Sequence, residues 1–77
     1  MNQTEFILAW LREGHGLTPI EALSRFGCFR LAARISDAKL LLREDEEIVT
    51  ELVRANGRKF ARYSIVVREQ SQMRLAL

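Results

Sequence analysis

Apolar residues recur at helical spacing in three short segments of the first half of the chain. The first segment covers about residues 4–13 and is followed by glycines, which predicts a helix that ends there. The second has Thr18 as its N-cap and Glu21 to complete a capping box, and Gly27 is expected to end it in the left-handed conformation. A third helix follows and is expected to run into the leucines at 40–42. The residues expected on the buried faces are Phe6, Ile7, Trp10, Leu11, Ile20, Leu23, Phe26, Leu31, Ile35, Ala38 and Leu42.

The second half of the chain predicts a β-hairpin. Residues 48–53 and 60–67 are rich in β-branched and aromatic side chains. Between them lie Asn56 and Gly57, which suit a type I′ turn because both of its central residues need positive φ. A two-residue loop sets the register of every cross-strand pair. The predicted pairs include Ala55 with Arg58, Glu51 with Arg62, and Ile48 with Ile65.

Side chains alternate between the two faces of a strand, so this register also predicts which face meets the core. The expected core face carries Ile48, Thr50, Leu52, Ala61, Tyr63 and Ile65. The outer face carries the Glu51–Arg62 pair together with Val49, Val53, Phe60 and Val66. That outer face is apolar for a solvent surface, which predicts that something covers it. We expect a homodimer formed through this face or through the C-terminal tail, residues 68–77.

The second and third helices, joined at Gly27, have the order of a helix-turn-helix motif. The outward face of the third helix is predicted to carry Arg30, Ala33, Arg34 and Asp37. Arginines in this position suit bidentate contacts with guanine or phosphate. The alternative is a solvated face on which Arg34 pairs with Asp37.

Three cations cluster at the predicted hairpin tip, Arg54, Arg58 and Lys59. Phosphate contact is the functional interpretation of this cluster. The alternative is edge protection, because charged tips discourage pairing between strands of different molecules.

Three helices followed by a basic hairpin is the order of a winged helix-turn-helix domain, and the chain resembles the small winged helix domains of phage and prophage regulatory proteins. The resemblance rests on LTPIEALSRFGCFRLAARISD (17–37), IVTE (48–51) and GRKFARYSI (57–65). It implies an α+β, mainly α, fold over residues 1–67, with three helices and a C-terminal hairpin as the wing. It also implies that helix 3 enters the major groove of DNA while the wing contacts the backbone. The DNA-binding residues it implies are Arg30, Ala33, Arg34, Asp37, Arg54, Arg58, Lys59 and Arg62.

Residues 38–47 differ from the family pattern, in which a short basic stretch ending in Gly usually follows the recognition helix. Here three leucines precede an acidic run, expected to be a solvated connection, that consists of Glu44, Asp45, Glu46 and Glu47. These carboxylates would repel phosphate if they faced a duplex. Together with Phe60 they form the surface of an alternative hypothesis, in which the chain binds a protein.

Composition limits the remaining choices. A chain of 77 residues with net charge +2 forms one small domain, which buries about 60% of its unfolded surface. The excess of positive charge lies in residues 28–43 and 48–77. The resemblance to phage proteins implies a bacterial host cell. A single cysteine and the lack of a membrane-length apolar run predict a cytoplasmic protein with no membrane partner. It would be nucleoid-associated if it binds DNA.

Residues that carry catalysis or bind metals are few. His15 lies between glycines without a second ligand near it, and Cys28 beside the turn is expected to be a buried apolar group. The acidic run lacks the alternating ligand spacing of a calcium loop. We therefore expect no catalytic residues, no cofactor and no metal site.

Two functions remain open at this point. The first is a phage or prophage transcriptional regulator that binds double-stranded DNA as a dimer or in cooperative arrays, with an excisionase-like architectural role as a variant. The second is a phage-encoded inhibitor of a host nucleic-acid-guided defence complex, of the anti-CRISPR kind, whose acids mimic phosphate. A shared fold does not decide between them.

Overall fold

A computed structural model describes residues 2–68 as three helices followed by a two-stranded antiparallel sheet. The predicted α+β architecture is confirmed. The elements are α1 (Gln3–Arg12), α2 (Pro19–Phe26), α3 (Leu31–Lys39), β1 (Glu46–Ala55) and β2 (Arg58–Val67). The tail named as an association surface lies outside the described residues from position 69 onward.

Local contacts explain where α1 and α2 begin and where α2 ends. The capping box predicted for α2 is present: Thr18 Oγ1 accepts from the Glu21 N–H, and the Glu21 carboxylate accepts from the Thr18 N–H. An unpredicted box of the same kind starts α1, where Asn2 and Glu5 exchange bonds of 2.9 and 3.0 Å. Gly27 ends α2 with a φ of 64°, as predicted. These contacts satisfy helix-end groups that have no partner within a helix.

The core lies between the three helices and the base of the hairpin. Its largest fully buried side chains are Ile7, Leu11 and Leu17, whereas Trp10, predicted on a buried face, is half-buried at the margin. The buried apolar residues among positions 2–68 are Ile7, Leu8, Leu11, Leu17, Ala22, Cys28, Leu31, Ile35, Ala38 and Ile48.

The predicted buried face of α2 is wrong. Ala22 is the buried residue of this helix, while Ile20 is 79% exposed and Leu23 42% exposed. At 100° per residue, these two side chains lie about 160° and 100° around the helix from Ala22. The helix therefore meets the core through a small residue, with Phe26 packed beside it.

Two further predictions about the helices are corrected. In α1 the predicted Phe6 is 49% exposed, and Leu8 takes its place in the core. The third helix ends at Lys39, so the leucines at 40–42 form a turn and connection in which Leu40 is 85% exposed and Leu42 half-buried. The burial pattern of α3 itself is confirmed at Leu31, Ile35 and Ala38.

The hairpin has the predicted register, with Ala55 opposite Arg58, Glu51 opposite Arg62, and Ile48 opposite Ile65. Asn56 and Gly57 have φ values of 53° and 75°, as a type I′ turn requires.

Only the base of the predicted core face is buried. Ile48 is buried and Tyr63 and Ile65 pack against the core, but Thr50 is exposed and Leu52 is 70% exposed. The hairpin is longer than the helical body that it contacts, so its outer half has no layer to pack against.

Candidate nucleic-acid interface

Helix α3 presents the predicted residues on its outward side. Because Leu31, Ile35 and Ala38 face the core, the opposite side of the helix is left to solvent. Arg30 is the N-cap residue and is exposed; its backbone φ of −127° is non-helical, and its side chain makes no capping bond. Ala33 is partly covered.

Arg34 and Asp37 interact on this outward side. Arg34 Nη2 lies 3.4 Å from Asp37 Oδ2, with the two side chains 38% and 52% exposed. This is the solvated ion pair that the sequence offered as the alternative to base contact. An exposed ion pair of this kind contributes less than about 1 kcal/mol to stability. Arg34 can therefore leave Asp37 to bind a stronger acceptor such as a phosphate or guanine.

The second group of cations is at the wing tip. Arg54 and Lys59 are directly opposite each other across the hairpin, and Arg58 follows the turn. All three are exposed and have no carboxylate within ion-pair distance among residues 2–68. Like charges directly opposite each other are unfavourable in a sheet. The tip is therefore a site at which an anion would relieve repulsion.

Arg62 lies in the middle of the wing rather than at its tip. Arg62 Nη1 is 3.8 Å from Glu51 Oε1, the cross-strand pair predicted from the register. Its guanidinium also lies against Gly16, where an added Cβ would overlap it. Of the four wing cations predicted to contact phosphate, Arg62 is the one already engaged within the described part of the chain.

A backbone pairing that sequence reasoning missed fixes the wing to the helices. Leu17 and Tyr63 exchange two N–H···O bonds of 2.8 Å each, so Leu17 forms a one-residue third strand beside β2. The start of α2 follows directly after Leu17, and among the helices β2 packs mainly against α1 and α2. A single paired residue has no alternating pattern, so no periodicity could have revealed it.

The acidic run is not a uniform solvated loop, which corrects that prediction. Glu46 is the first residue of β1, and its side chain is only 6% exposed because Arg12 covers it. Hydrogen bonds from the Arg12 guanidinium, and then from the Arg43 N–H, hold the pKa of Glu46 down to about 2. The same contact raises the pKa of Arg12 above its usual value.

The other three acids remain accessible to different degrees. Glu44 and Glu47 are exposed and Asp45 is half-buried. The backbone carbonyls of Glu44 and Asp45 accept hydrogen bonds from Arg68, at 2.7 Å from its side chain and 2.8 Å from its N–H. Phe60, the apolar member of the alternative protein-binding surface, is half-buried on β2.

An aromatic cluster that was not predicted surrounds Trp10. The His15 ring stacks on it with the ring centres 4.1 Å apart, the Arg25 guanidinium lies 4.5 Å from the centre of the Trp10 ring, and Phe26 meets it edge-on. Trp10 Nε1 donates to the Gly16 carbonyl at 3.3 Å. His15 is therefore part of the packing, and the arrangement holds the α1–α2 connection.

Sequence reasoning also missed an apolar residue on the candidate DNA side. Phe29, next to Arg30 at the start of α3, is 86% exposed. An apolar side chain at this point of a recognition helix can contact the methyl group of thymine. The signal available in the sequence was its position between the turn and the first arginine.

A comparison with protein families matches the winged helix-turn-helix domain over residues 2–68. The chain belongs to the winged helix-turn-helix family. Membership indicates DNA binding, and domains of this family are typically binding modules rather than enzymes. In the element order of this family, α3 is the third helix and the β1–β2 hairpin is the wing.

Searches of curated proteins and of solved structures found no match to this winged helix domain. Within residues 2–68, no group of three or more metal-binding side chains comes together. Cys28 is buried with a free thiol. No helix in the described part of the chain is long and apolar enough to span a membrane.

Proposed function

We propose that this chain is a sequence-specific double-stranded DNA-binding protein in which α3 reads the major groove and the wing contacts the phosphate backbone. The observation that carries the proposal is the wing tip, where Arg54, Arg58 and Lys59 are exposed and unpaired among the described residues. Contact with DNA phosphates stabilises cations at such a tip more than solvent does, because it releases the counterions that are condensed on the DNA.

The outward side of α3 supplies the base contacts in this proposal. Within residues 2–68, Arg30 has no side-chain partner; it lies at the N-terminus of the helix, the end that enters the groove first in helix-turn-helix proteins. Arg34 is held only by its exposed pair with Asp37, and Phe29 adds an apolar contact beside Arg30. Two arginines with a thymine contact predict a preference for a short site that contains guanine.

The class of regulator follows from the sequence resemblance to phage and prophage proteins. On that basis we assign a role in transcription regulation in the cytoplasm of a bacterial host, at the nucleoid. One domain of this size contacts few base pairs, so useful specificity calls for a dimer or cooperative binding.

A salt titration of duplex binding tests the proposal. We expect affinity to fall steeply with salt, and Arg58→Ala to lower the slope of log K against log salt by about 0.9, the value for one lost phosphate contact. Arg43→Ala is the matched control, because it removes one exposed arginine charge outside α3 and the wing. The proposal is wrong if the folded protein does not bind duplex DNA at low salt, or if both variants change the slope equally.

The protein-binding alternative has one specific observation in its favour. Asp37 puts a carboxylate on the side of α3 that would face DNA, and the strongly exposed Phe29 and Leu40 lie at the two ends of that helix. In this version Glu44, Asp45, Glu47 and Phe60 would contact the partner, while Glu46 is engaged with Arg12. A defined complex with a nuclease-type defence protein, formed by a chain that fails the duplex titration, would support it.

A further inference from the structure

The Leu17–Tyr63 pairing determines the direction of every backbone polar group in the hairpin. Both the N–H and the C=O of Tyr63 point to Leu17, so neither can bond to Thr50, its cross-strand partner. In an antiparallel pair, hydrogen-bonded and non-hydrogen-bonded positions alternate. The pairs Ile48–Ile65, Leu52–Ala61 and Arg54–Lys59 are therefore also non-hydrogen-bonded.

It follows that β1 has a row of outward backbone groups on its free edge. The N–H and C=O of Ile48, Thr50, Leu52 and Arg54 all point away from β2. None of them bonds to another residue of 2–68. The same alternation continues at the base of the strand. There the N–H of Glu46 also points away from β2, and it donates to the Arg43 carbonyl.

Among residues 2–68, the free edge lacks the usual protection against strand pairing. Sheet edges are commonly guarded by prolines, bulges, lysines or a covering element. Here β1 pairs without a bulge over its whole length, and its one carboxylate between Ile48 and Val53, Glu51, is matched by Arg62 of the same chain. Leu52 stands 70% exposed in the middle of this edge.

The opposite edge of the hairpin is not equivalent. Tyr63 is paired with Leu17, and farther out the start of α2 lies against β2, where Thr18, Pro19 and Ile20 line a cavity of about 260 Å³ with Arg58, Lys59 and Phe60. An added strand would collide with this part of α2. In the part of the chain that the structure describes, only the β1 edge is open to a strand.

We propose that a second copy of this chain pairs with the β1 edge, antiparallel and centred on Leu52, to give a four-stranded sheet. The centre is set by two conditions. Outward residues must face outward residues, and among the centres that allow this, Glu51 and Arg54 would each oppose two like charges and Val53 would form about four hydrogen bonds instead of six. Ile48 is already buried against the helices. Centring on Thr50 would bring the buried ends of both copies together, whereas Leu52 keeps the two helical bodies apart.

This register places no like charges opposite each other. A second copy of the chain can therefore pair with the β1 edge without repulsion. Leu52 faces Leu52 of the partner, Thr50 faces Arg54, and Glu51 faces Val53. The segment from Ile48 to Arg54 carries one acid and one base, so two copies do not repel each other there. About six intermolecular hydrogen bonds would form, two for each facing pair of outward residues.

The two-fold axis of such a dimer is perpendicular to the sheet, so each face of one hairpin continues into the same face of the other. The apolar outer face formed by Val49, Val53, Phe60 and Val66 would double in area. A sheet of four strands is also more stable than an isolated two-stranded hairpin. The helical bodies would lie at opposite ends of the sheet.

Sedimentation of the DNA-free protein from about 10 μM to about 1 mM tests this surface. We expect a monomer–dimer equilibrium whose dissociation constant rises at least about tenfold in Leu52→Lys, because two ammonium groups would then face each other. Leu40→Lys is the matched control: the same change at an exposed leucine in the connection after α3 should leave dimerisation unchanged.

Amide hydrogen exchange on the unmodified protein gives a second readout that does not depend on any substitution. The N–H groups of Thr50, Leu52 and Arg54 should exchange fast at low concentration and become protected as the dimer forms. Those of Glu51 and Val53 bond to β2 and should be protected throughout. A monomer across the whole concentration range would overturn the proposal, as would a dimer in which the outward amides stay unprotected. Because DNA is absent, neither result bears on the proposed DNA binding.

Discussion

Arg12 and Glu46 join the end of α1 to the start of β1 through two hydrogen bonds of 2.9 Å, from Nε and Nη2 to the two carboxylate oxygens. The partners are 34 residues apart in the chain. A bidentate arginine–carboxylate pair restricts geometry in a way that a single charge contact does not. It therefore links the helical body to the base of the wing.

This pair predicts a pH dependence of stability. The pKa of Glu46 is about 2 in the folded chain against an ordinary value of 4.5, so the folded state favours the carboxylate. Its contribution to the free energy of unfolding is complete above pH 4.5 and is lost as the pH falls from there towards 2. Thermal unfolding of the wild type and of Glu46→Gln should differ at pH 7 and converge below about pH 3. A difference that stays constant over this range would contradict the assignment, and Glu44→Gln, at an exposed acid, serves as the control.

Truncation of the Leu17 side chain is predicted to cause a large loss of stability. Its side chain is fully buried and its backbone forms the two bonds to Tyr63. Leu17→Ala should lower the free energy of unfolding by about 2–5 kcal/mol, through lost burial and the cavity left behind. Leu40→Ala, at an 85% exposed position, should change it by less than about 0.5 kcal/mol. Chemical denaturation measures both, and similar values for the two variants would contradict the described core.

Adding a side chain at Gly27 is predicted to destabilise the protein through backbone strain. Its φ of 64° lies in the left-handed region, and no atom lies within 4 Å of an added Cβ, so only backbone strain opposes a side chain there. Gly27→Ala should destabilise the protein by about 1–2 kcal/mol. Gly27→Asn should cost less, since Asn tolerates this conformation better. Equal losses for the two variants, measured by thermal unfolding, would argue against a left-handed helix end.

Arg30 and Arg34 predict base discrimination. Replacing both by alanine should reduce the preference for the best site over its single-base variants by about 1–3 kcal/mol at each base that an arginine reads. The measurement is a competition of the double variant against a library of short duplexes. Arg58→Ala should weaken binding to all sequences alike, because phosphate contacts carry no base information. An unchanged preference in the double variant would remove α3 from base reading.

Asp37 predicts a gain of affinity when its charge is removed. It lies 3.4 Å from Arg34 on the side proposed to face DNA, where a carboxylate both repels phosphate and competes for the arginine. Asp37→Asn should tighten duplex binding by about 0.2–1 kcal/mol at low salt. If Asp37 instead accepts a hydrogen bond from cytosine, the same variant would bind the best site more weakly, and the competition assay distinguishes the two results.

The sequence was sufficient for several features that depend on neighbours in the chain, although the capping box at Asn2 was missed. The cap at Thr18, the helix end at Gly27 and the turn at Asn56 and Gly57 follow from local hydrogen bonds and from the φ values that each residue accepts. The turn also sets the register, because a two-residue loop leaves one pairing for every later position.

The tertiary structure decided the contacts between segments that are distant in sequence. Periodicity correctly placed the buried residues of α3, but in α2 the partner surface selected Ala22 over Ile20 and Leu23. Among the proposed DNA contacts, Arg62 is engaged by Glu51 and lies against Gly16, while the wing tip stays unpaired within the described chain. Local patterns show which faces are apolar, but only packing determines which face is covered and which charge already has a partner.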